Sequence, residues 1–204
     1  ERFAGYHRQS YGGCKVGVGD TLIGAAKAIT DYQGVSRASH VKDKIIEMCH
    51  LNETLYACGI ACSAEGARTM AGNYMINILL ANICKQNVTR FPYEIARIAQ
   101  DLAGGLLVTM PSSKDFENPE VGPLLKKYLA AGGDVPTEHR QRMLRFIENL
   151  TMGCAAVGYL TESMHGAGSP QAQRIMIQRG EQLEHYKELA EKLCGIQDNP
   201  DVDW

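Results

Sequence analysis

Several broad classes are excluded by what this chain does not contain. No apolar run approaches the roughly 18 to 20 residues needed to cross a bilayer, and no apolar signal-peptide core stands near residue 1. A soluble, cytoplasmic protein with no membrane partner is the expectation. No basic block is present either: 21 Lys and Arg against 23 Asp and Glu leave a net charge of −2, which offers nothing to track a phosphate backbone, so no nucleic-acid partner is expected. Seven cysteines, at 14, 49, 58, 62, 84, 154 and 194, are odd in number and scattered through helical patterns, and a disulfide framework is not indicated. Strand-like alternation is nearly absent. The start at Glu1, with no methionine and a helical pattern under way, is read as the beginning of a piece of a larger polypeptide.

What the chain does contain is helical periodicity. With 204 residues and 45% hydrophobic content it can bury a full core. A first helix is expected over 1–32, ended by Gly34, and a second over about 40–68, where Val41, Ile45, Met48, Leu51, Leu55, Cys58 and Cys62 recur at three- and four-residue steps. A third is expected over about 73–85 and a short one over 94–102, ending at Gly104-Gly105. Prolines 111, 119, 123 and 136 break the middle into turns around one short helix near 124–130. A long helix capped by Thr137 is expected to run toward Leu160, and Ser169-Pro170 opens another reaching about Cys194. The domain is thus placed at 1–197, with 198–204 as a loose tail. These elements describe an all-α antiparallel helical bundle.

Three segments carry candidate chemistry. In Glu1-Arg-Phe-Ala-Gly-Tyr-His-Arg-Gln-Ser-Tyr-Gly-Gly-Cys-Lys15, helix geometry puts Cys14 about 20°, Tyr11 about 40° and Lys15 about 80° from His7, all within one sector of about 100°. His7 and Cys14 lie about 10 Å apart along an ideal axis, long for one metal ion but tolerable for a polynuclear cluster. Spacing alone is equally met by a buried face on which Cys14 is a small core residue and His7 a satisfied core histidine. Gly12 and Gly13 interrupt the stripe, so either the helix bends there or another backbone approaches. Gln100, Gly104 and Gly105 read either as a helix C-cap or as a backbone that a cofactor approaches; no strand precedes them, so the dinucleotide fingerprint is not met. Glu162 falls near the negative end of an apolar helix, where burial would raise its pKa and suit it to proton transfer; an exposed glutamate beside a glycine loop is the plainer reading. Cys58 and Cys62, four apart among small apolar residues, read as buried thiols.

The segment 1–15 and the segment Gly158-Tyr-Leu-Thr-Glu-Ser-Met-His-Gly-Ala-Gly-Ser-Pro-Gln-Ala-Gln-Arg174 together resemble the C-terminal part of the 4-hydroxybutyryl-CoA dehydratase family, with the similarity running to about residue 196. Its wider relatives are flavin-dependent 4-hydroxyphenylacetate hydroxylases and acyl-CoA dehydrogenases, so the resemblance implies an acyl-CoA dehydrogenase C-terminal domain-like bundle. It also implies FAD, a [4Fe-4S] cluster held by three cysteines and one histidine, a CoA thioester substrate and a homotetramer. By that resemblance His7 and Cys14 are cluster ligands, and His7, Tyr11, Lys15 and Glu162 are active-site groups. Gln100, Gly104 and Gly105 resemble, more weakly, a segment that touches FAD. The family's N-terminal and middle domains are missing here, along with two cluster cysteines, and this chain alone is expected to hold no intact cluster and to be inactive. A flavin-dependent aromatic hydroxylase domain and a purely structural tetramerisation bundle are the alternative readings.

Overall fold

Apolar side chains at helical spacing build the centre of the molecule, as a computed structural model describing residues 2–196 shows. Helix α1 (Arg2–Tyr32) buries Leu22, Ala25, Ala26 and Ile29 on one face, and it packs against α2 (Ser39–Ala64), α3 (Ile78–Val88), α4 (Phe91–Ala103) and α8 (Thr137–Thr151). Met48 and Leu51 of α2, Ile95 and Ala99 of α4 and Leu144 and Ile147 of α8 close the core around it. Each fully buried Leu, Ile or Met contributes about 1.5 to 3 kcal/mol to keeping this arrangement. The chain is therefore the helical bundle expected, with α1 as its central rod.

Several boundaries differ from expectation. Helix α2 ends at Ala64, ahead of Gly66, and Ala67–Arg68 pairs antiparallel with Tyr74–Met75 in a small hairpin where helix was expected. At Gly66 a Cβ would fall 2.5 Å from the Met75 carbonyl, so the hairpin needs glycine there. After the single turn α5 (Leu106–Thr109), the proline-rich stretch forms two short helices, α6 (Ser113–Glu117) and α7 (Gly122–Tyr128), rather than one. Thr137 is the first residue of α8 instead of its cap, its hydroxyl donating to the Lys126 carbonyl at 2.9 Å. Helix α8 stops at Thr151: Met152 and Gly153 both donate to the Glu148 carbonyl, at 2.7 and 2.9 Å, and Gly153 folds so tightly on Asn149 that a Cβ would lie 2.8 Å from its Cα. Beyond this stop the chain forms a π-turn (Val157–Thr161) and the single turn α9 (Glu162–His165). Ser169 caps α10 (Pro170–Gly180) as its sequence implies, accepting from the Ala172 N–H, but the helix breaks after Gly180 and resumes as α11 (Leu183–Leu193). The tail assigned to 198–204 lies outside the described residues.

The glycine pair in α1 divides in two. A Cβ at Gly12 would stand 2.8 Å from the Gly59 Cα of α2 and 3.0 Å from Cys84 Sγ of α3, so Gly12 is where three helices meet; a Cβ at Gly13 would meet open space. Close backbone approach, not bending, accounts for the first. We expect Gly12→Ala to destabilise the chain by about 1 to 3 kcal/mol through overpacking, whereas Gly13→Ala in the same chain gains up to about 1 kcal/mol of helix propensity. Urea unfolding of the two variants checks both signs.

Candidate active site

The buried half of the α1 stripe sets the site. Tyr11 and Lys15 are 2% and 7% exposed, while His7 and Cys14 on the same helix face outward. The His7 ring stacks on Tyr11, centroids 5.4 Å apart and planes inclined by 19°. The reading of Cys14 as a small core residue and His7 as a core histidine is thereby overturned, because the glycine crossing presses Gly12 inward and leaves both donors at the surface.

Against this stripe stands the irregular segment after α8. In an α-helix the Glu162 N–H would reach the Gly158 carbonyl; in the π-turn it reaches Val157 instead. The Gly158 carbonyl accepts from Lys15 Nζ at 2.5 Å, and the same ammonium pairs with Glu162 Oε2. The Tyr11 hydroxyl donates to Glu162 Oε1. A Cβ on Gly166 would lie 2.0 Å from the Tyr11 oxygen and 2.6 Å from Glu162 Oε1, so only glycine lets the turn close over this pair. The segment is pinned from behind by Arg8, whose Nε donates to the Ala167 carbonyl at 3.0 Å and whose Nη1 donates to Asn82 Oδ1 at 2.7 Å. Ala167 holds a left-handed φ of 58°, a conformation that costs a non-glycine residue of order 1 kcal/mol and that Arg8 helps to fix.

Electrostatics correct one expectation. Burial alone would push the Glu162 carboxyl up, but the Lys15 ammonium and the Tyr11 hydroxyl outweigh it, and the pKa lies below the ordinary carboxylate value. Glu162 is half-exposed rather than buried and so stands ionised at neutral pH, poised to accept a proton. Tyr11 is driven the other way, first by burial and then by its bond to Glu162, and stays a neutral hydroxyl.

The structure thus joins His7, Tyr11, Lys15 and Glu162, with Cys14 exposed about one turn along α1 from Tyr11. Gln100, Gly104 and Gly105 stand apart, at the end of α4. Gln100 donates to the Thr151 carbonyl at 3.4 Å, Gly104 takes a φ of 75°, and a Cβ on either glycine would meet open space. Cys62 is a buried thiol, donating to the Asn77 carbonyl at 3.3 Å, and Cys58 is half-buried. Among the described residues no three His, Cys, Asp or Glu side chains group as metal ligands. Arg8, Asn82, Lys85 and Gly166 were not among the expected site residues. The residues carry a signal only for Asn82 and Lys85, polar side chains three apart on α3 in register with Ala81, Cys84 and Val88, and it gives their shared face, not the burial of a lysine there.

Residues 1–195 match the family model for the C-terminal region of 4-hydroxyphenylacetate 3-hydroxylase, HpaB. The chain belongs to this family. It is 64% identical over 96% of its length to 4-hydroxybutyryl-CoA dehydratase/vinylacetyl-CoA-Delta-isomerase of Clostridium aminobutyricum, covering 42% of that protein. It is 21% identical over 82% of its length to the 4-hydroxyphenylacetate 3-monooxygenase oxygenase component of Geobacillus sp. (strain PA-9), covering 34% of it. An oxygen-tolerant archaeal 4-hydroxybutyryl-CoA dehydratase from N. maritimus superposes with a TM-score of 0.93 at 61% identity, over 100% of this chain and 40% of that one. The HpaB oxygenase complexed with FAD superposes at 0.82 with 21% identity, over 91% of this chain and 39% of that one, a likeness of fold. The chain spans about two fifths of the length of these dehydratases.

Because the folded carboxyl of Glu162 has the lower pKa, the stability it contributes is present above the unfolded glutamate value of about 4.3 and is lost as pH falls through the folded value. The melting temperature of Glu162→Gln should therefore trail the unsubstituted chain at pH 7 and converge on it as pH falls below the lowered pKa of the folded carboxyl.

Proposed function

We propose that this chain is the C-terminal part of a 4-hydroxybutyryl-CoA dehydratase that also isomerises vinylacetyl-CoA. The observation that carries the reading is the ionised Glu162 held between a neutral phenol and an ammonium, beside an outward-facing imidazole and thiol, in a chain 64% identical to such an enzyme.

Dehydration of a 4-hydroxyacyl thioester to the 2-enoyl thioester takes one proton each from carbons 2 and 3, the second of which no ordinary base can reach unaided, returns one proton to carbon 4 and releases the 4-hydroxyl with the other as water. In this reading Tyr11 and Lys15 donate hydrogen bonds to substrate oxygens, stabilising negative charge as it develops on the thioester carbonyl. Glu162, already deprotonated, accepts a proton from carbon and returns it elsewhere on the chain; His7 is a second base where its ring is not a ligand. The double-bond shift of vinylacetyl-CoA needs only part of this: a proton leaves carbon 2 and one is delivered to carbon 4, with none taken from carbon 3 and no loss of water.

His7 and Cys14 have the donor chemistry for an iron–sulfur cluster and both reach solvent beside Tyr11, so they fit as two of its ligands; two more must come from outside this chain. Gly104 and Gly105, open above their Cα atoms, fit a backbone that FAD approaches. When bound, these groups supply one-electron redox chemistry and a Lewis-acidic iron. The hydroxylase alternative leaves a surface imidazole and thiol beside the phenol without a task. Assembly into a tetramer is supported by α11, which buries nothing among the described residues and shows Leu183, Tyr186, Leu189 and Leu193 to solvent.

Two measurements test the reading. The full-length protein carrying this chain should turn over 4-hydroxybutyryl-CoA, and Tyr11→Phe or Glu162→Gln should each lower kcat by about 10²- to 10⁴-fold. The isolated chain should show neither turnover nor a stoichiometric cluster signal by electron paramagnetic resonance after reduction; turnover by the chain alone, or wild-type kcat in both variants, would overturn it.

A further inference from the structure

Lys85 is fully buried at this site, and the proposed reaction assigns it no role. Its side chain is 0% exposed, and its ammonium stands 4.0 Å from the centroid of the Tyr11 ring, nearer than that of Lys15 at 5.2 Å. It donates to the Ser163 carbonyl, the residue after Glu162, while the Ser163 hydroxyl donates back to the Tyr159 carbonyl inside the π-turn. Burial drives its pKa down to about 8, the Glu162 carboxylate opposing this and the Lys15 and Arg8 cations adding to it.

Such a lysine is expensive as mere packing. An ammonium removed from water needs compensation, and an apolar side chain of the same length would fill the space without it. What the charge does contribute is specific. The Ser163 carbonyl belongs to the last turn of α9, where carbonyls lack helical partners and a cation is favoured. Tying that carbonyl to α3 fixes the direction in which the preceding residue projects, and the same ammonium rests on the face of the ring whose hydroxyl Glu162 accepts from.

We infer that Lys85 is a positioning residue: from α3 it holds the Glu162 turn through Ser163 and the Tyr11 ring through its face, so that carboxylate and phenol stay in register. The inference rests on the reading of the site as the dehydratase centre. Both contacts are to groups that flank the chemistry, and because the Tyr11 ring also packs with Val16, Leu55 and Val88, a role in folding is separated from positioning by cofactor content and by where Glu162 points in the variants.

The test uses the full-length holoenzyme carrying Lys85→Met, Lys85→Gln or Lys85→Arg. Methionine keeps the bulk and loses the charge; glutamine keeps a donor for Ser163 but no charge; arginine keeps the charge. We expect Lys85→Met to lower kcat by about tenfold to a hundredfold with KM for 4-hydroxybutyryl-CoA within twofold, unchanged flavin and iron content, and partial recovery in Lys85→Arg. A crystal structure of Lys85→Met should show the Glu162 carboxylate turned away from the Tyr11 hydroxyl. Wild-type kcat in Lys85→Met, an unmoved Glu162, or a rate loss that merely tracks lost flavin or iron would overturn the inference. If Lys85→Met does not assemble, Lys85→Gln carries the same comparison, and failure of both to assemble would assign Lys85 to folding and also overturn it. A wild-type enzyme inactive on the thioester would instead refute the dehydratase reading, while the Glu162 position in the variant would still decide the role of Lys85.

Discussion

Everything at this site depends on how the molecule satisfies buried cations. Lys15, Lys85 and Arg8 are each at most 7% exposed, and burying charge is tolerable only when hydrogen-bond acceptors replace the lost water. Glu162 answers Lys15 directly, but much of the remainder is met by backbone: the carbonyl of Gly158 for Lys15, of Ser163 for Lys85 and of Ala167 for Arg8. A continuous α-helix over 157–168 would consume carbonyls of this kind in its own ladder. The π-turn, the single turn of α9 and the left-handed Ala167 release them, so the irregularity of the segment and the cations beneath it require one another. Glu162 is aimed by that arrangement.

The parts of this design that obey periodic rules were legible in the residues. The spacing of His7, Tyr11, Cys14 and Lys15 put them in one sector of α1, which the structure divides into buried Tyr11 and Lys15 and exposed His7 and Cys14, and Ser169-Pro170 marked a helix start, because caps and periodicity are local physics. Gly12 was legible as a constraint, though only the position of Gly59 on the neighbouring helix shows that it answers a crossing. The break in α8 was not legible: Leu150, Cys154 and Val157 continue an apolar rhythm, and the turn at Gly153 is decided by its fit against Asn149. The lowered pKa of Glu162 was hidden for a related reason. From residues 159–170 alone the glutamate faces an apolar helix end, while the ammonium that reverses its shift sits at residue 15. Lys85 was hidden most fully, since a lysine on a short helix is ordinarily solvated and only tertiary structure buries it.

The donors that point outward obey a different logic from those that point in. Tyr11, Lys15 and Lys85 are closed off by elements of this chain, whereas His7 and Cys14 are left facing solvent on the helix that carries them. In the proposed reading, an imidazole and a thiol exposed beside a buried, preorganised phenol are one wall of a site whose opposite wall lies outside this chain, which spans about two fifths of the dehydratases it matches. The buried wall is closed by contacts within this chain. Its carboxylate is held by Tyr11 and Lys15, its turn by Arg8 and Lys85, and its closest approach is kept open by Gly166.

That division has a consequence for how such a site can be built. Preorganisation is most useful where hydrogen bonds must not shift as charge moves, and here the groups proposed to donate and to accept are fixed by a rigid rod and a pinned turn. The ligands proposed to close around a cluster need the opposite, the freedom to be completed from outside this chain. Placing both sets on α1, one on its buried face and one on its exposed face, lets a single helix register the proton-transfer groups against whatever His7 and Cys14 bind. A displacement of α1 by one residue would rotate the whole set by about 100° and separate Tyr11 from Glu162. The Gly12 crossing with Gly59 resists that slip, because only at that pair can the two backbones come so close.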